Sequence, residues 1–198
     1  FGARYGFKPE GPILVEVFSV HDEFAIRTMG LPGLVGALGA CFGKVVAMDS
    51  PRAIQPPNTF SWQATLWHEL AHVYTLQLSN YRVPRWLTEG ISVHEERRAR
   101  PGWGDDLSLE FILAFKQGEV LPLRDLNNGF VRPKHPGQVS LSYYQASLVV
   151  EQIEARHGIA GLRNLLKAYG EGASTEAAFE AALGRTVDSE ILWWPFTG

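Results

Sequence analysis

The stretch LWHELAHVY, residues 66–74, decides how the chain is read. Residues four apart on a helix lie one above the other, so His68 and His72 aim their imidazoles at one place. Glu69 is offset by one residue and leans over that place from the side. Zinc takes nitrogen, sulfur and carboxylate ligands in a tetrahedron, and a catalytic site leaves one vertex for water. A glutamate beside that vertex is placed to act as a general base. The plainer reading is an amphipathic helix carrying two hydrogen-bonded histidines. Against it, Trp67, Leu70, Ala71 and Val73 make the helix largely apolar. Polar groups buried there need partners, and a shared cation supplies one.

A third ligand comes from VPRWLTEGISVHEE, residues 83–96. Pro84 suits the first turn of a helix, and Glu89 falls just over one turn in. With the first helix ending near 79 and a turn over 80–83, the second helix returns antiparallel and brings Glu89 to the histidines. The alternative, a solvated Glu89, fits poorly between Trp86, Leu87 and Ile91. Gly90 costs up to about 1 kcal/mol against Ala inside a helix, which close approach of the first helix would explain.

The rest of the composition is permissive. The chain has 198 residues, is 45% hydrophobic and carries a formal net charge of -3. That allows one sizeable core and argues against a nucleic-acid partner. Cys41 is the only cysteine, so an internal disulfide and a cysteine-rich zinc cluster are both excluded. No apolar run reaches the length of a membrane span. GLPGLVGALGACFG reads as a packed loop. The first residue is Phe1, and the chain reads as a piece cut from a longer protein.

PILVEVFS (12–19) and GKVVAMD (43–49) have strand patterns, HDEFAIRTM a short helical one, and SPRAIQPPN a proline-rich link. From about Thr59 helices dominate, over roughly 60–79, 84–97, 107–117, 139–157, 159–170 and 174–184. Gly158, Gly170 and Gly184 stand where helix ends call for a left-handed residue. Residues 1–58 form a strand-rich part and 59–198 a helical part of one domain. The fold class is α+β: a small mixed sheet packed on the histidine helix, followed by a mainly helical lobe.

HELAH followed by WLTEGISVHEE resembles the paired motifs of gluzincin metallopeptidases, distantly those of the aminopeptidase N group. There a Trp-Leu-x-Glu-Gly segment carries the third zinc ligand. A closer resemblance is to bacterial peptidase MA-like domains, often joined to tetratricopeptide repeats. VVAMDSPRA before the zinc helix and SYYQASLVVEQIEARHG after it fit that pattern, and the likeness spans roughly 40–170. It implies His68, His72 and Glu89 as zinc ligands, Glu69 as catalytic base, and a gluzincin-like, thermolysin-like catalytic domain. Tetratricopeptide-repeat flanks and a periplasmic or extracellular location are expected of the parent protein.

Peptide hydrolysis also needs a donor for the developing oxyanion. LSYYQAS offers Tyr143 and Tyr144, whose side chains point about 100° apart, so one at most faces the cleft. The family pattern, a tyrosine two residues before glutamine, selects Tyr143 and leaves Tyr144 in reserve. Glu96, on the face of Glu89, matches the glutamate ending the aminopeptidase motif. It is either an acceptor for a ligand histidine or a solvated acid. His94 reads as a plain helix histidine, and His21, His135 and His157 lack ligand spacing. KVVAMD is the expected strand beside the cleft. Asp49 reads as a turn cap, with a substrate-amine contact as the sharper alternative.

These readings give a zinc-dependent peptidase acting on a peptide or protein, with Glu69 as base and Tyr143 as oxyanion donor. Two rivals stand beside it. One is a non-catalytic, zinc-containing module that binds peptide or protein within a larger repeat protein. The other is a zinc hydrolase of a different amide, such as a cell-wall peptide.

Overall fold

The computed structural model describes residues 1–32, 36–54, 60–104 and 108–187. Its sheet has strands β1 (Leu14–Phe18), β2 (Gly39–Cys41) and β3 (Val45–Asp49) in the order β1-β3-β2. β1 is parallel to β3, with Leu14 opposite Val45. β2 is antiparallel to it, with Ala40 opposite Ala47. The helices are α1 (Gly2–Tyr5), α2 (His21–Met29), α3 (Trp62–Leu78), α4 (Arg85–Ala99), α5 (Leu109–Lys116), α6 (Asn128–Val131), α7 (Gln138–Gly170) and α8 (Thr175–Leu183). The sheet packs on α3 and a helical body follows, so the fold is α+β with a small mixed sheet.

Local chemistry sets the boundaries. Ser61 caps α3 by accepting from the Ala64 N–H, and Ser174 caps α8 by accepting from the Ala177 N–H. Pro84 precedes α4, where its missing N–H costs no helical bond. Gly184 closes α8 at φ 65°, the left-handed conformation that glycine adopts without strain.

Several sequence expectations change. The packed apolar loop contains β2, which is the strand at the sheet's edge; β3, the strand expected beside the cleft, is central. A three-residue strand among glycines leaves too short a pattern for alternation to reveal. The two helices expected over 139–157 and 159–170 are both present and meet at Gly158, whose φ 64° and ψ -175° are not helical; α7 denotes the pair. Gly170 is not a left-handed terminus. It is the last residue of α7, and a Cβ there would stand 3.1 Å from the Leu78 carbonyl oxygen. α1, α6 and the 3-10 turn Leu123–Asp125 are too short to leave a periodic signal. Residues 55–58 of the proline-rich link, Thr59 after it, and residues 105–107 lie outside the described residues.

α4 is the centre of the helical body. Every residue from Trp86 to Glu96 is buried, because α3 covers one side and α7 another. Buried acids on α4 are matched. Glu95 accepts from Arg4 Nε at 2.6 Å and from the Tyr5 hydroxyl at 3.0 Å, and His94 Nε2 meets Glu154 Oε2 at 2.6 Å. These bonds bind α1 and α7 to α4.

Gly90 is where α7 comes closest. The expectation was approach by α3; the neighbour is instead the Ala146 backbone, whose carbonyl oxygen would lie 2.6 Å from an added Cβ. The Gly90→Ala variant is expected to lose about 1–3 kcal/mol of stability through overpacking, measured by urea denaturation.

Candidate metal centre and active site

α3 and α4 are joined by a tight turn in which Asn80 and Tyr81 take positive φ, 48° and 60°. The helices return antiparallel: Thr75 meets Thr88 near the turn, and Trp67 meets Glu95 at the far end. Hydrogen bonds between the two helices fix their register. Thr75 and Thr88 hydroxyls are 2.6 Å apart, and the Ser92 hydroxyl donates to the His68 carbonyl at 3.1 Å. Trp67 Nε1 donates to the Glu95 carbonyl, and the His68 imidazole meets Glu96.

This register brings His68, His72 and Glu89 together, with one donor atom from each within 4.8 Å of the others. Glu89 Oε2 lies 3.2 Å from the Nε2 atoms of both histidines. The outer nitrogens are held from behind. His68 Nδ1 is 2.7 Å from Glu96 Oε1, and His72 Nδ1 is 2.7 Å from Thr88 Oγ1. With Nδ1–H donating to these oxygens, both Nε2 atoms are turned toward Glu89. Thr88 passes the chain to Thr75, whose hydroxyl donates back to the His72 carbonyl at 3.3 Å. Of the two readings of Glu96, the geometry places it as the acceptor behind His68.

The electrostatics follow from burying charges close together. Burial disfavours charge on His68, but Glu89 and Glu96 outweigh it and hold the imidazole well above its usual range. Burial also works to raise Glu89, yet His72 and His68 pull its carboxyl well below the usual carboxylate range. The cluster attracts positive charge. Two imidazole nitrogens and a carboxylate oxygen, oriented from behind, are a donor set that a divalent ion fits.

Glu69 stands apart. It is buried, and its Oε2 has no hydrogen-bond partner among the described residues. Burial raises its pKa, partly opposed by His72 and His68. The space for this side chain exists because residue 39 is glycine: a Cβ there would lie 2.6 Å from Glu69 Oε1 and 2.8 Å from Cγ. β2 thus roofs the carboxylate.

Of the two tyrosines, Tyr143 faces the site. Its ring is 6.3 Å from that of His68, and it lines both cavities described below. Tyr144 turns to Phe111, centroid to centroid 4.6 Å, in a separate apolar cluster. Asp49 is wholly buried, bonded to His21 Nδ1 at 2.6 Å, and lines neither cavity described below, so a substrate amine does not reach it. His94 is taken by Glu154.

Sequence reasoning missed three contributors. Thr88 had a signal: it immediately precedes Glu89 on a buried helix, where a hydroxyl needs a partner. Arg85 also had one, standing four residues before Glu89, and its Nε is 3.2 Å from Glu89 Oε1. Gly39 had none, because its role is a contact across the fold.

Two cavities meet over these residues, of about 540 and 470 Å³. Gly39, His68, Glu69 and Tyr143 line both. The Gly39→Ala variant is expected to retain the metal-binding trio and displace Glu69. Metal titration should be unchanged, while any hydrolysis falls about a hundredfold or more.

A model of the Peptidase MA superfamily matches residues 52–195, which include α3, α4 and α7 with every residue of the trio, Glu69 and Tyr143. No curated protein and no solved structure matches the chain significantly. With the match extending over most of its length, the chain belongs to the Peptidase MA superfamily.

Proposed function

We propose that the chain is a zinc-dependent peptidase in which His68, His72 and Glu89 hold the ion and Glu69 is the general base. The observation that carries this reading is the Glu69 carboxylate. It is buried beside the trio, and one oxygen has no partner among the described residues. A buried carboxylate with an idle oxygen costs stability, and a proton-transfer step gives it a use that a purely structural site would not.

When bound, zinc supplies Lewis acidity toward a water molecule and a substrate carbonyl. Glu69 Oε2 accepts the proton of the attacking water and later delivers it to the leaving amine. Its raised pKa suits a group that must both take and return a proton. Tyr143 donates its phenolic hydrogen to the developing oxyanion. Arg85 holds the outer oxygen of Glu89 at 3.2 Å, which keeps the ligand carboxylate in place. Glu96 and Thr88 orient the imidazoles.

The peptide would lie along β2. Asp49 N–H donates to the Leu38 carbonyl and Phe42 N–H to the Val45 carbonyl, so alternation turns the main-chain groups of Gly39 and Cys41 away from β3. Such an edge offers sequence-independent pairing to an extended chain.

Metal analysis of the purified protein should find one zinc per chain, and cleavage of a mixed peptide library should stop with a chelator and return with zinc. Glu69→Gln should keep the zinc and lose about 10²–10⁴ in kcat. Full turnover in that variant removes Glu69 from the mechanism. Tyr143→Phe should keep the zinc and lower kcat about a hundredfold.

A further inference from the structure

The two cavities beside the site differ in chemistry, and the difference bears on the substrate. The larger is edged by Gly36, Gly39 and Gly104 with the hydroxyl residues Ser61, Thr65 and Ser140. The smaller, about 470 Å³, runs from His72 and Glu89 to α2 and is walled by Phe24, Ala25, Met29, Phe42 and Leu76, with Arg85 beside Glu89. Phe24 and Ala25 are wholly buried and form a fixed base. Met29 and Phe42 are 61% and 49% exposed. Two large apolar side chains left in water at the border of an apolar hollow, which itself opens on a reaction centre, indicate a surface that a ligand covers.

Resting on the peptidase reading, we infer that this smaller cavity is a side-chain subsite selecting an uncharged apolar residue, of leucine or phenylalanine size, next to the bond that is cut. The volume lies within the range of small-ligand pockets and leaves room for an aromatic ring. Burying an apolar side chain there also removes Met29 and Phe42 from water. A lysine or arginine side chain is selected against because it would lose hydration among Phe24, Met29 and Leu76. The glycine- and hydroxyl-edged cavity imposes no such selection, so the preference falls on one side of the bond only. The selectivity comes from α2, which lies outside the residues matched by the family.

The test uses the zinc-loaded full chain and N-acyl amino-acid hydroxamates, which anchor to a metal without being turned over. Their side chains are those of leucine, phenylalanine, lysine or glutamate. Calorimetry should show the leucine and phenylalanine compounds binding at least about tenfold tighter than the lysine compound. Met29→Glu alters an exposed residue at the end of α2. It should keep zinc content and circular dichroism and shift the leucine-to-lysine ratio about tenfold toward lysine. Equal binding of leucine and lysine compounds, or an unchanged ratio in Met29→Glu, overturns the subsite and leaves the peptidase reading standing. Apolar selectivity in binding with no cleavage of any peptide overturns the peptidase reading and leaves the subsite. Failure to take up zinc overturns both.

Discussion

The structure depends on how two antiparallel helices keep their facing polar groups satisfied in a buried seam. α3 and α4 carry three histidines, four glutamates and several hydroxyls between them, and most of these are buried. Leaving any of them unpaired costs about 1–3 kcal/mol or more. The register that pairs them is narrow. Sliding one helix a turn along the other would break Trp67 to Glu95, Ser92 to His68, Thr88 to both His72 and Thr75, and Glu96 to His68 together. The same register gathers the trio. Among the described residues, Glu69 alone keeps an unpaired oxygen in this seam, beside the trio.

Every layer around the seam bears on the site. α7 presses on α4 at Gly90 and contributes Tyr143 on its facing side. The sheet lies on α3 and brings Gly39 against Glu69. α1 adds Arg4 and Tyr5 to Glu95, the neighbour of the carboxylate behind His68. The backing of the imidazoles is hydrogen-bonded and buried throughout, which limits the geometries the site can adopt.

Much of this was legible in the order of residues. His68, Glu69 and His72 announce themselves by helical spacing. Glu89 followed from the length of a turn and the apolar residues around it. Glu96, on the face of Glu89, could be read from sequence either as an acceptor for a ligand histidine or as a solvated acid, and the bond to His68 favours the first. What escaped was set by contacts distant in sequence. The glycine-rich stretch before Cys41 gives no alternating pattern, yet β2 forms there because β3 offers it a partner. Gly90 was rightly read as a point of close approach, but to the wrong helix, since sequence spacing cannot say which neighbour is nearest. Thr88 and Arg85 had local signals that become meaningful only once Glu89 is assigned.

The turn at Asn80 and Tyr81 has a consequence for assembly. The clustered donors span only 21 positions, from His68 to Glu89. Closing so short a loop forfeits little chain entropy compared with pairings across the whole molecule. The hairpin can therefore gather its ligands before the sheet or α7 has docked, and an ion captured then would staple the nascent pair. Reaction geometry, by contrast, waits for Gly39 and Tyr143, which arrive from opposite sides of the sequence. On the proposed reading, cation capture and chemical competence would be separated in time, the hairpin holding an ion before roof or phenol is in place.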